Sequence, residues 1–135
     1  PAVHVSGLQF QALNPIPLKQ WTHIAVTLNG TSGTIYVNGV ASSTGYLPVP
    51  ANVVRNNNYI GRSNWGTGDA DPSAIYDDLR IWNVARSASE IQSKMYTELN
   101  GVESGLQIYF KLIKVLFVET THQSPKFKIP LLVEA

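Results

Sequence analysis

The stretch that decides the fold is WTHIAVTLNGTSGTIYVNGV, residues 21–40. Its first half alternates with a period of two. Ile24, Val26 and Leu28 fall on one side, and Trp21, His23, Ala25 and Thr27 on the other. That is the period of a β-strand with two unlike faces, not the 3.6-residue period of a helix. Asn29-Gly30-Thr31-Ser32-Gly33 then reads as a five-residue hairpin loop. A return strand over residues 34–38 directs Ile35 and Val37 toward the core. Asn38-Gly39 follows, two residues that tolerate positive φ, which predicts a tight turn into a third strand over residues 40–42.

Working outward, residues 3–13 read as a strand, and a proline-containing connection at residues 47–50 leads to another over residues 58–63. Residues 64–73 form a loop rich in Gly and Asp, and residues 75–83 a further strand. One helix is predicted, near residues 88–99. Ser87-Ala88-Ser89-Glu90 fits a capping box, in which serine and glutamate side chains satisfy free backbone N–H groups at the helix start. Ile91, Met95 and Leu99 recur every four residues on one apolar face, and Asn100-Gly101 closes the helix. Residues 106–110, 114–119 and 126–133 are strand candidates. The fold class is all-β with one short helix.

Composition agrees. Charged residues are only 14% of the 135, against a usual quarter or so, while Gly, Ser, Thr and Asn supply 40. Short strands joined by turns suit this; a charge-laced helical bundle does not. Net charge is +1, which gives no electrostatic case for nucleic acid or an anionic membrane as partner. The longest apolar run, residues 115–118, is far too short for a membrane-spanning helix. Without cysteine there is no disulfide, thiolate nucleophile or cysteine-held metal. Acidic residues are confined to the second half: residues 1–68 hold none, and seven of the nine lie between Asp69 and Glu103. Carboxylate chemistry or hard-metal binding must be built there. No basic stretch followed by an apolar segment marks a signal peptide.

Three strings in order carry a family resemblance: residues 21–40, YIGRS at 59–63, and YDDLRIWNVARSASEI at 76–91. Together they resemble the LamG-like (laminin G, concanavalin A-like) jelly roll, in the bacterial and extracellular branch that is also similar to pentraxins. The resemblance implies an antiparallel two-sheet sandwich in which residues 21–40 are central and the Asp77–Trp82 strand leads into a short helix at the sheet edge. It covers residues 19–110. The family carries several more strands before the position of Trp21, whereas twenty residues precede it here, and its Phe-x-Gly reads Pro72-Ser73-Ala74. The expectation is therefore an incomplete sandwich over residues 1–111. Residues 112–135 are an atypical tail, either extra strands completing the sheet or a contact in an oligomer, as of a fragment or a shortened gene with a new end.

Catalytic motifs are absent. There is no His-Glu-x-x-His, P-loop or Gly-x-Gly-x-x-Gly, and Gly61-Arg62-Ser63-Asn64-Trp65 misses the nucleophile elbow at its last position. Glycosidases need two carboxylates facing across about 5–9 Å. The adjacent Asp77 and Asp78 alternate on a strand and read as structural, one meeting turn backbone or Arg80. His23 reads as a core residue, and His4 and His122 have no partner implied by spacing.

The candidate site is the loop at residues 64–71. Asn64, Asp69 and Asp71 among flexible glycines can bring oxygen ligands to one calcium ion, but such residues are first of all ordinary turn formers. Family relatives that hold calcium at the sandwich rim add to the first reading. Trp65 either stacks on a sugar ring or covers the sheet edge. Tyr46 poses the same question, and the Asn29-Gly30-Thr31 sequon is turn material. The resemblance implies a non-catalytic binding module, extracellular or at the cell surface. The expected ligand is a glycan or an extracellular protein met by Asn64, Trp65, Asp69 and Asp71; calcium is the metal expected at Asn64, Asp69 and Asp71 if the loop holds one, and the missing strands point to a homodimer. The rival reading is a structural element whose open sheet face pairs with a second chain; a glycosidase of the same fold is more remote.

Overall fold

The structure, a computed structural model, describes residues 1–61 and 74–111 and the backbone of residues 128–134. Strands β1 (Ala2–Val5) and β2 (Leu8–Gln11) form an antiparallel hairpin. The single strand expected over residues 3–13 is thus two. Ser6 and Gly7 both take positive φ, 49° and 82°, and reverse the chain where the apolar positions pass from Val3 and Val5 to Leu8 and Phe10.

Strands β3 (Ile24–Asn29) and β4 (Ser32–Val37) pair with Asn29 opposite Ser32, so only Gly30 and Thr31 turn the chain. The expected five-residue loop is shorter because Ser32 and Gly33 join the ladder. The Asn38-Gly39 turn, with φ of 50° and 76°, leads into β5 (Val40–Tyr46). Residues 58–61 are not a strand: they start at the last of three consecutive asparagines, and Gly61 takes φ +70°, outside extended geometry. Beyond the described residues lie the rest of that segment and the strand expected over residues 114–119.

The remaining elements are β6 (Ile75–Trp82), α1 (Ala88–Lys94), β7 (Leu106–Phe110) and β8 (Lys128–Glu134). One sheet is the β1–β2 hairpin, and the other runs in the order β5-β4-β3-β8-β6-β7. The architecture is all-β with one short helix. Pairing is antiparallel except at β8, which lies between β3 and β6 and runs parallel to both. Pro130, which has no N–H for a ladder, stands beside Asp77, and the next matched pair is Arg80 with Leu132. Two β6 residues therefore oppose one of β8. This bulge is where Asp78 takes φ +53°.

The two faces of the large sheet are covered differently. On one, Ala25 of β3 and Trp82 of β6 close with Ile91 of α1 and Leu99, flanked by Tyr36, Leu106 and Tyr109. The helix begins at the expected capping box: the Ser87 side chain accepts from Glu90 N–H, and Glu90 accepts from Ser87 N–H at 2.8 Å. It stops at Lys94, earlier than the apolar spacing predicts, because the Lys94 carbonyl is taken by Thr97 N–H in a tight turn and by the Arg80 side chain. Leu99 still reaches the core, from beyond the helix. Gln92 ties α1 to the β4–β5 turn by donating to the Gly39 carbonyl at 2.9 Å.

On the other face, the β1–β2 hairpin packs against β5. Gly33 and Gly45 are cross-strand partners, and the Phe10 ring lies on both: a Cβ at either would stand within 2.8 Å of ring atoms. Gly33 and Gly45 leave room for an aromatic ring where any side chain would fill it.

Phe10→Ala is expected to lower stability by about 2 kcal/mol in urea unfolding, the usual scale for emptying an aromatic site that is partly buried. Gly45→Val should cost about 1–3 kcal/mol in the wild-type background and much less once Phe10 is alanine. Equal costs in both backgrounds would contradict the contact.

Candidate functional site

Asn64, Trp65, Asp69 and Asp71 lie outside the described residues, and so does His122. What is described is the approach to their loop. Gly61 holds φ +70° with the Tyr76 ring against it, a Cβ there standing 3.0 Å from Tyr76 Cε2. Burial raises the Tyr76 phenol above its ordinary pKa. Tyr46 is exposed at the end of β5. Among the described residues no three His, Cys, Asp or Glu side chains stand together as metal ligands.

The densest polar geometry lies elsewhere, between β6 and the end of α1. Strand alternation places Arg80 and Trp82 on one face of β6, and the same face carries Ala25 and the residue two before it, His23. Arg80 is 3% exposed. Its two terminal nitrogens donate to the carbonyls of Lys94, at 2.8 Å, and Thr97, at 2.6 Å. Those carbonyls belong to the last turn of α1 and the turn after it, where a helix presents unpaired acceptors and partial negative charge. The guanidinium also stands 5.5 Å from the Tyr109 ring centroid and 4.0 Å from Asp78 Oδ2.

Both aspartates of the β6 bulge serve the chain itself. Asp77 Oδ1 accepts from Asp78 N–H, and Asp78 Oδ1 accepts from the Tyr109 hydroxyl at 3.0 Å. This is the geometry of a structural pair.

His23 is held by its backbone: its N–H donates to the Asn38 side chain and its carbonyl accepts from Asn38 N–H. The imidazole is buried, and its pKa falls from 6.5 to about 4, first because burial penalises the charged form and then because Arg80 repels it. It is therefore neutral at pH 7. Arg86 stacks over Trp82 with its charged carbon 4.4 Å from the ring centroid, and pairs with Glu90 at 3.3 Å.

His23, Arg80 and Trp82 join Arg86, Glu90, Ile91 and Lys94 to line one cleft, about 240 Å³ with its mouth included. The motif-based reading of the sequence did not reach it. The alternation Arg80-Ile81-Trp82 is the signal that assigns two polar-tipped residues to one strand face.

Against known proteins, the family model described as the concanavalin A-like lectin/glucanases superfamily, of laminin G type, matches residues 2–92. The chain is similar to a crystal structure of an S-layer domain-containing protein from Clostridium thermocellum, at 28% identity and a TM-score of 0.53. That likeness covers 68% of this chain and 48% of the other, so the chain spans about half the length of the protein it matches. No curated protein matches.

Because the folded His23 pKa lies below the unfolded value, its contribution to stability is complete above pH 6.5 and is lost as pH falls toward about 4. A loss of about 3 kcal/mol across that window is expected from urea unfolding at a series of pH values. His23→Asn should flatten that slope. An unchanged slope in the variant would contradict the assignment.

Proposed function

The chain belongs to the concanavalin A-like lectin/glucanase superfamily, and on that premise we propose that it is an extracellular, non-catalytic module that binds glycan. The superfamily match over residues 2–92 carries this reading. The S-layer domain-containing relative supports a place at the cell surface. Among the described residues no helix is long and apolar enough to cross a membrane. The engagement of Asp77 and Asp78 by Arg80, Tyr109 and backbone supports binding over hydrolysis. In this reading Trp65 offers an apolar ring to a pyranose, and Asn64, Asp69 and Asp71 hold a calcium ion that orders the loop around it.

A second reading has its own observation. Strand β7 closes one edge of the large sheet, carries no charge, and exposes Ile108 and Phe110, the latter 50% accessible. An uncharged edge with apolar side chains suits pairing with a second copy of the chain. It makes the domain an assembly element, and the dimer its working form.

Glycan-array binding that weakens at least about tenfold on chelation of calcium and on Trp65→Ala is the expected result. Binding to an extracellular protein but to no glycan would replace the ligand class. Concentration-dependent dimerisation without any glycan signal, abolished by Ile108→Lys, would favour the assembly reading. Polysaccharide hydrolysis lost on Asp78→Asn would overturn both.

A further inference from the structure

The sheet face that carries α1 continues beyond the helix. Alternation along β3 keeps Ala25, Thr27 and Asn29 on that face, and Ile91 of α1 packs at the Ala25 end. Cross-strand pairing widens each position into a row. Asn29 stands opposite Ser32, and Ser32 opposite Tyr46. In the next row Thr27 stands opposite Thr34, and Thr34 opposite Thr44. The Thr34 and Thr44 hydroxyls meet at 3.2 Å across that face. Gly33 and Gly45, which lie between the two rows, turn to Phe10 on the other side. Thr27 is buried and Thr34 partly so, whereas Asn29, Ser32 and Thr44 are exposed and Tyr46 is 63% accessible.

These rows make a small polar platform with an aromatic ring at its edge. Neighbouring strands lie about 4.8 Å apart and alternate residues of one strand about 7 Å apart, so the side chains share a field of about 10 Å by 7 Å. The backbone beneath is tied down: Leu47 N–H donates to the Thr31 carbonyl at 3.0 Å, joining the end of β5 to the β3–β4 turn. The Asn29 amide, the Ser32 hydroxyl and the Tyr46 phenol bond to no described residue and stay free for a ligand. An amide and hydroxyls both donate and accept, as sugar hydroxyls do. An exposed phenol ring offers the flat apolar surface that suits the C–H face of a pyranose. Charge narrows the choice: β3, β4 and β5 contain no charged residue at all, so the rows offer no counter-charge to an ionic ligand. A neutral guest rich in hydroxyls fits.

We propose that Asn29, Ser32, Thr34, Thr44 and Tyr46 form a carbohydrate platform that takes a pyranose unit of a neutral oligosaccharide. The sugar ring stacks on Tyr46, and its hydroxyls meet Asn29, Ser32 and the Thr34–Thr44 pair. The platform shares no residue with the candidate loop at residues 64–71 and contains no carboxylate, so its grip on the sugar needs no calcium. This inference rests on the glycan-binding reading and adds a site to it.

The test separates the two sites. The ¹⁵N-labelled full chain and its Trp65→Ala variant are titrated in EDTA with cellohexaose, xylohexaose, mannohexaose and chitohexaose. At least one probe is expected to shift the Asn29 side-chain amide and the Ser32 and Tyr46 backbone amides, saturating in the millimolar range in both proteins alike. Tyr46→Ala should weaken that binding at least about fivefold, and Tyr46→Phe, which keeps the ring, less than about twofold. Asn29→Ala, which leaves Tyr46 in place, should weaken it about threefold. Binding that spares these signals, or that survives Tyr46→Ala and Asn29→Ala unchanged, would overturn the platform. So would binding that appears only with calcium and is lost in Trp65→Ala, a result that leaves the glycan reading intact. No saturation by any probe, with or without calcium, would overturn both.

Discussion

The structure depends on one buried guanidinium. Arg80 leaves β6, beside the edge strand β7 of the large sheet, and takes the Lys94 and Thr97 carbonyls where α1 ends. A charge placed so deep is tolerated only where hydrogen bonds replace its water, and helix-terminal carbonyls are well suited to that because they lack partners and carry negative partial charge. The same contact occupies the carbonyl at which the helix stops, and the Arg80 charge adds to burial in keeping the neighbouring imidazole neutral. Asp78, raised out of strand geometry by the bulge beside Pro130, reaches both Tyr109 and Arg80 and fixes the arrangement from the far side.

Around this anchor the sheet is dressed unequally. The helix face is closed by Trp82, Ile91, Leu99 and the stacked Arg86, whereas the opposite face gains its second layer from a two-stranded hairpin resting on Gly33 and Gly45 through Phe10. Among the described residues, a superfamily known by its two sheets is represented by one broad sheet and one narrow one.

Much of this was legible in the residues. Alternation from Trp21 to Leu28, the Asn38-Gly39 turn and the Ser87–Glu90 capping box are local signals, and each is found where those residues stand. The Ser6-Gly7 turn was in fact marked in the residues, because the apolar positions shift from odd (Val3, Val5) to even (Leu8, Phe10) across it. The helix length was misjudged because its end is set by Arg80, fourteen residues before Lys94, and no local pattern encodes that contact. The candidate loop with Asn64, Trp65, Asp69 and Asp71 was chosen by residue type, which is visible in sequence. The cleft is made by strand pairing and burial, which are not. Its residues, His23, Arg80 and Trp82, are separately ordinary and become unusual only when buried together.

The most direct test of the account is equilibrium urea unfolding of Arg80→Lys at pH 7. The substitution keeps the positive charge but removes the fork that reaches two carbonyls at once. A loss of about 2–4 kcal/mol is expected, with helix and sheet still unfolding in one transition. Stability within about 0.5 kcal/mol of the wild type would show that the charge alone suffices, and would contradict the central role given to the Arg80 clamp.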